Sequence, residues 1–229
     1  MSAAINGPRA VLFDCDGVIA DSEPLHLRAF RDVLAPLGIT ITDEEYTDRY
    51  LGLDDRGVFE EVLRLHGRGD DRELVATLIA AKARGFRRVL ETETRIYPGV
   101  VDFIRALAGV PLAVVSGALR NEVEIILRCA GVREAFAAIV GAEDVPAGKP
   151  DPEGFLRALG VLGGSDAIEP RTCLVVEDSL AGLEAATRAG MRRLAVTNSY
   201  PASQLRPLAD LVVPSLAGLT LARVRQLFT

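Results

Sequence analysis

The chain has 229 residues, 49% of them hydrophobic, and a net charge of −6. That composition supports a buried core and argues against a nucleic-acid partner, which would want a basic face. No apolar stretch approaches the roughly 20 residues that cross a bilayer, and with two histidines, no CxxC pair and three scattered cysteines (Cys15, Cys129, Cys173) the sequence suits a reduced, cytoplasmic protein whose metal, if any, has oxygen ligands.

The N-terminal residues run into the first apolar segment without the basic and apolar regions of a secretory leader. That segment, Arg9-Ala-Val-Leu-Phe-Asp14, is short, continuously apolar and stopped by a carboxylate, which predicts a strand buried on both faces. The next 80 or so residues are far too many for a βα connection, which takes a handful. Their periodicity predicts helices over Leu25–Leu37, Asp43–Leu51, Arg56–His66 and Arg72–Glu91. A small helical cap domain over residues 21–95 is therefore expected, inserted into an α/β core domain made of 1–20 and 96–229. Beyond Pro98-Gly99 the pattern alternates. Strands are expected at Pro111–Ser116, Ala137–Gly141, Thr172–Glu177, Arg193–Thr197 and Leu211–Val213. Helices are expected over Asn121–Ala130, Pro152–Leu162 and Leu180–Ala189, two of them closed by Gly131 and Gly190. Alternating strands and helices predict a Rossmann-like parallel sheet with right-handed crossovers.

In such a sheet ligands bind beyond the carboxyl ends of the strands. Four segments put polar groups there: Asp14-Cys15-Asp16-Gly17, Ser116-Gly117, Lys149-Pro150-Asp151-Pro152 and Glu177-Asp178-Ser179. Each alone has an ordinary reading as a turn, a solvated lysine or a helix cap. Together they set four carboxylates (Asp14, Asp16, Glu177, Asp178) against one lysine. A divalent cation and one bound proton bring that sum to zero. Hard oxygen donors suit Mg²⁺. Asp14, at the strand end, is the expected nucleophile on phosphorus and a metal ligand. Asp16 is the expected proton donor and acceptor. Ser116 with the Gly117 amide would hold the phosphoryl group, Lys149 would neutralise its charge, and Asp178 and Glu177 are candidates to hold the metal. Cys15 reads as a packing residue.

Asp-x-Asp-Gly-Val, a strand ending in Ser116, Gly148-Lys-Pro-Asp-Pro152 and Val-Glu177-Asp-Ser179 together resemble the four motifs of the haloacid dehalogenase-like superfamily. They occur in order over about residues 9–200. The helical insertion resembles the small cap of its beta-phosphoglucomutase and phosphoglycolate phosphatase branch. The resemblance implies the same roles for Asp14, Asp16, Ser116, Lys149 and Asp178. It also implies Mg²⁺, with the backbone carbonyl of Asp16 as a further ligand. Asp16 marks phosphate transfer rather than dehalogenation.

The expected activity is hydrolysis of a small phosphomonoester, such as a sugar phosphate, through an aspartyl phosphate. The alternative is a phosphosugar mutase. Mutases of this branch carry a lysine before the cap-loop glycine, where this chain has Leu51 before Gly52. A receiver-like phosphoprotein is a third reading, which the long helical insertion disfavours. In the cap, Asp21-Ser22-Glu23-Pro24-Leu25-His26 follows the catalytic loop closely enough to border the site, with Glu23 and His26 as candidate substrate contacts. His26 reads equally as a substrate contact or a surface residue, and Arg56 as a contact to a distal phosphate or sugar acid or as a solvated arginine. His66 and the run Arg84–Arg88 read as surface. The expected partner is a small phosphorylated metabolite, with no nucleic acid or membrane, bound by a monomer or small homo-oligomer.

Overall fold

The continuous apolar runs form a six-stranded parallel sheet: β1 (Ala10–Phe13), β2 (Leu112–Val115), β3 (Ala138–Val140), β4 (Cys173–Glu177), β5 (Arg192–Val196) and β6 (Leu211–Val213), in the order β3-β2-β1-β4-β5-β6. This is seen in a computed structural model that describes residues 7–229 other than Asp70 and Ser165. The expected absence of a leader concerns residues 1–6, which lie outside the described residues. No helix among the described residues is long and apolar enough to cross a membrane.

Successive residues of a strand face opposite sides, and here both sides are covered. Val11, Phe13, Val114, Leu174 and Val176 pack on one face with Phe103, Val123 and Ile126. Ala10, Leu12, Ala113, Val115 and Val175 pack on the other with Phe155, Ala158, Ala185 and Ala186. That double burial is why the strands read as unbroken apolar runs rather than as alternation.

Between β1 and β2 come α1 (Glu23–Leu34), a short α2 (Asp43–Glu45) continued by a π-helical turn over Tyr46–Tyr50, α3 (Asp55–Leu65), α4 (Arg72–Glu93) and α5 (Val100–Ala106). After β2 come α6 (Arg120–Cys129), α7 (Glu153–Gly163), α8 (Leu180–Arg188), α9 (Ala202–Leu205) and α10 (Leu221–Arg225). Periodicity did not announce α9 and α10, because four or five residues are too few to carry it. The starts of the inserted helices are chemically marked. Pro24 occupies the first turn of α1, Thr42 and Glu45 form a capping box at α2, and Asp54 and Asp71 cap α3 and α4.

Helices α1 to α4 bury an apolar cluster of their own, with Leu27, Phe30, Leu34, Val58, Phe59, Val62, Val75 and Leu78. At about 33 Å long, α4 serves both cores: further along it, Phe86 and Leu90 join the sheet's cluster. Phe86 corrects the expectation of a solvated Arg84–Arg88 face; the three arginines are exposed, but this ring is buried. The chain enters and leaves the helical segment side by side. Asp21 N donates to the Arg95 carbonyl at 2.8 Å and Tyr97 N to the Ile19 carbonyl at 3.0 Å.

Candidate functional site

Strand β1 lies where the order reverses, with β2 on one side and β4 on the other, and its carboxyl end is the topological crevice of the sheet. Asp14 is the first residue past β1 and is 7% exposed. Its amide donates to the Val176 carbonyl at 2.9 Å, so it is still held in the sheet's register. The backbone then turns sharply: the Cys15 carbonyl accepts from Ile19 N at 2.8 Å and Ala20 N at 3.1 Å. Gly17 makes the turn possible in two ways. Its φ is +79°, and a Cβ there would lie 1.8 Å from Asp178 Oδ2. Cys15 is buried in the apolar cluster, as a packing residue should be.

Lys149 joins the two acidic segments. Its Nζ lies 2.5 Å from Asp14 Oδ1 and 2.5 Å from Glu177 Oε1. Burial works against the ammonium, but the charges of Asp14 and Glu177 outweigh it and hold the lysine's pKa above its ordinary value. The other oxygen of Glu177, Oε2, accepts from Asp178 N, Ser179 N and Ser179 Oγ at 2.8–3.0 Å. Ser179 in turn caps α8 by accepting from Gly182 N at 3.0 Å.

Asp14, Glu177 and Asp178 present carboxylate oxygens within 4.8 Å of one another, all three buried. Burial pushes the carboxyls of Asp14 and Asp178 well above the usual range, and the charge of Glu177 adds to it. A hard divalent cation is the partner that lets such a cluster ionise, and the all-oxygen donor set fits Mg²⁺. Asp178 is oriented by the Ser199 hydroxyl, which donates to it, and Asn198 Nδ2 donates to the Gly17 carbonyl at 2.6 Å.

Asp16 points away from this cluster toward the inserted helices. Ser22 Oγ donates to its Oδ1 at 2.5 Å, Ser116 Oγ to its Oδ2 at 3.2 Å, and His26 Nε2 lies 3.3 Å from Oδ1. Lys82 Nζ lies 2.8 Å from His26 Nδ1. An ammonium only donates, so Nδ1 accepts and Nε2 carries the hydrogen offered to Asp16. Burial would raise the Asp16 carboxyl, but His26, Ser22 and Ser116 hold it well below the usual range. Lys82 is itself 1% exposed and pairs with Asp55.

A cavity of about 140 Å³ lies between the rim and the helices, lined by Asp14, Asp16, Gly117, Lys149 and Asp178 from the core side. Glu23 and His26 line it from α1, and Tyr46 OH donates to Glu23 Oε2 at 2.5 Å. The surface reading of His26 is corrected: the residue is buried and lines the cavity. Arg56 is not brought to the site; it is exposed on α3 and does not line the cavity. His66 is exposed. Ser116 follows β2 and meets Asp16, while its oxygen also accepts from Ala118 N at 3.0 Å. Ser22 lies in the segment expected to border the site, without a role assigned to it; the sequence did not single out Asp54, Asp55, Lys82 or Ser199. Of these only Asp54 carried a signal, as the polar residue opening a helix three residues past Leu51.

A profile of the haloacid dehalogenase-like hydrolases matches residues 8–190. Hexitol phosphatase B of Escherichia coli (strain K12) is 34% identical over 218 residues, covering 92% of this chain and 94% of its own. Beta-phosphoglucomutase of Bacillus subtilis is 29% identical over 219 residues, covering 93% of this chain and 92% of its own. Among solved structures, a mutant CbbY from Rhodobacter sphaeroides in complex with xylulose-(1,5)bisphosphate superposes with a TM-score of 0.82 at 32% identity, covering 93% of this chain and 96% of that one.

Proposed function

This chain belongs to the haloacid dehalogenase-like hydrolase family, and we propose that it hydrolyses a small phosphomonoester, of the sugar phosphate kind, through a phosphorylated Asp14. The observation that carries this reading is the division of labour at the end of β1. Asp14 faces Lys149 and the acidic cluster, whereas Asp16, two residues on, faces Ser116 and His26.

Asp14 attacks phosphorus with its free oxygen while Lys149 holds the other, and Lys149 neutralises charge on the phosphoryl oxygens. Ser116 and the Gly117 amide hold the phosphoryl group on the other side. Asp16 gives a proton to the departing oxygen and then takes one from the water that attacks the phosphorylated Asp14. In the resting arrangement Asp16 is held ionised by its donors; the arriving phosphate dianion favours its protonation. Asp178, Asp14 and the Asp16 carbonyl would hold Mg²⁺, which supplies charge stabilisation to the transferring group when bound. Glu177, whose oxygens are spent on Lys149 and the Ser179 turn, positions both. The buried free thiols Cys15 and Cys173 suit a reducing cytoplasm.

The same intermediate in a mutase passes its phosphoryl group to a sugar hydroxyl, and the likeness to beta-phosphoglucomutase is the observation on that side. Leu51, in place of a cap-loop lysine, lines the cavity and favours water as the acceptor. The receiver-like reading is set aside, because the match to hydrolases runs through the inserted helices. The test supplies sugar phosphates with Mg²⁺ and measures phosphate release. Release without isomer formation is expected; isomerisation faster than release, given a bisphosphate activator, would overturn the phosphatase reading.

A further inference from the structure

The helical side of the cavity carries the wrong charge for an anionic leaving group. Among the described residues, the titratable side chains that line it from the inserted helices are Glu23, His26, Tyr46, Asp54 and Asp55, with no lysine or arginine. Arg56 is turned to solvent, and Lys82 is spent behind the wall on Asp55 and His26. The core's cation, Lys149, is committed to Asp14 and Glu177.

Asp54 stands directly across from the phosphoryl-binding rim. Its Oδ1 accepts from Gly57 N at 2.7 Å and caps α3. Its Oδ2 faces the core: a Cβ placed on Gly148, beside Lys149, would lie 3.3 Å from it. Asp55, next in the chain, also lines the cavity but is paired with Lys82 behind the wall. It is only 9% exposed, and its Oδ2 is buried with no hydrogen-bond donor.

Building on the phosphatase reading above, we infer that the leaving group is a donor-rich, uncharged or cationic molecule, a polyol or amino sugar, and that Asp54 selects against a distal carboxylate or second phosphate. Hydroxyl and ammonium hydrogens satisfy the free Asp54 Oδ2. A second anion meets like charge with no cation to receive it. A bisphosphate of the kind bound to the CbbY mutant is therefore a poor substrate here.

The experiment measures phosphate release with Mg²⁺ from glucitol 6-phosphate, glucosamine 6-phosphate, 6-phosphogluconate and glucose 1,6-bisphosphate. The first two are expected to exceed the last two in kcat/KM by about tenfold or more. Asp54→Asn, which keeps the helix cap because asparagine caps as well as aspartate, is expected to shrink that gap severalfold. Anionic leaving groups handled as well as neutral ones, or a gap unchanged in Asp54→Asn, would overturn the inference; the wild-type ranking decides by itself should the variant not fold. Hydrolysis of p-nitrophenyl phosphate, which has no distal charge, reports the phosphatase reading separately. Its absence together with inert sugar phosphates would sink that reading and this one with it.

Discussion

On the sheet side of the cleft Glu177 has both oxygens bonded, Asp14 has Lys149, and Asp178 has the Ser199 hydroxyl. On the helical side Asp54 spends one oxygen on its own helix, and Asp55 leaves one buried oxygen without a donor. The first set is nearly self-sufficient and needs only a cation and a phosphoryl group, which every phosphomonoester brings. On the inference drawn above, the free Asp54 oxygen of the second set is met by the part of the substrate that differs from one ester to another. Carboxylates of the two walls should therefore fail differently: those of the rim in turnover, those of the helical wall in selectivity or in folding.

The largest expected effect falls on Asp14. Asp14→Asn keeps shape and removes the proposed nucleophile, so kcat should drop by about 10³-fold or more. Binding of beryllofluoride with Mg²⁺ at this residue should be lost with it, as seen by ¹⁹F NMR. Activity within a few-fold of wild type would break the comparison at its centre. Lys149→Met comes next, with a loss of about 10²–10³-fold in kcat, the usual cost of removing a donor aimed at developing charge. Because Lys149 also compensates Asp14 and Glu177, this variant should unfold at lower urea concentration, whereas Asp14→Asn should not.

On the helical wall the corresponding test is Lys82→Met. It leaves the Asp55 carboxylate buried without its partner, a loss of about 3–5 kcal/mol in urea unfolding. Adding Asp55→Asn should recover much of it, because the uncompensated charge goes too. If the single and double variants are equally destabilised, the pair is not what holds α3 against α4.

Why the rim was legible and the helical wall was not follows from the same difference. A two-sided buried strand must end its apolar run abruptly, so Asp14 stood out, and Lys149 and Asp178 sit in short segments whose spacing the strand ends fix. Lys82 lies in Ala-Ala-Lys82-Ala-Arg, a composition that normally marks a solvated helix face; only the placement of α1 and α3 buries it. Asp54 reads as a helix cap and is one, so its second role leaves no trace in sequence. Arg56 drew attention by its charge, yet neighbours on a helix point about 100° apart; with Asp55 turned inward, Arg56 is turned out. Pattern reading located the helices to within a few residues but not their phase against the core. That phase depends on tertiary packing.

The smallest effect is expected where a carboxylate belongs to neither wall. Asp210 accepts from Arg193 N and Nε on Oδ2 at 2.8 and 3.0 Å, and from an Arg193 terminal nitrogen on Oδ1 at 2.8 Å, beside the pairing of β5 with β6. Partial burial would raise its carboxyl, but these bonds from Arg193 hold it below the usual value. A carboxyl lowered on folding stabilises the protein fully above its unfolded pKa of about 3.9, and that contribution fades as pH falls through the folded value. Solvent screening keeps it small, about 0.5–1 kcal/mol. Asp210→Asn should therefore cost that much in urea unfolding at pH 7, lose its penalty progressively below about pH 4, and leave both kcat and the ranking of substrates unchanged. A change in either would mean that charge alone, rather than the wall a carboxylate stands on, sets the behaviour of this site.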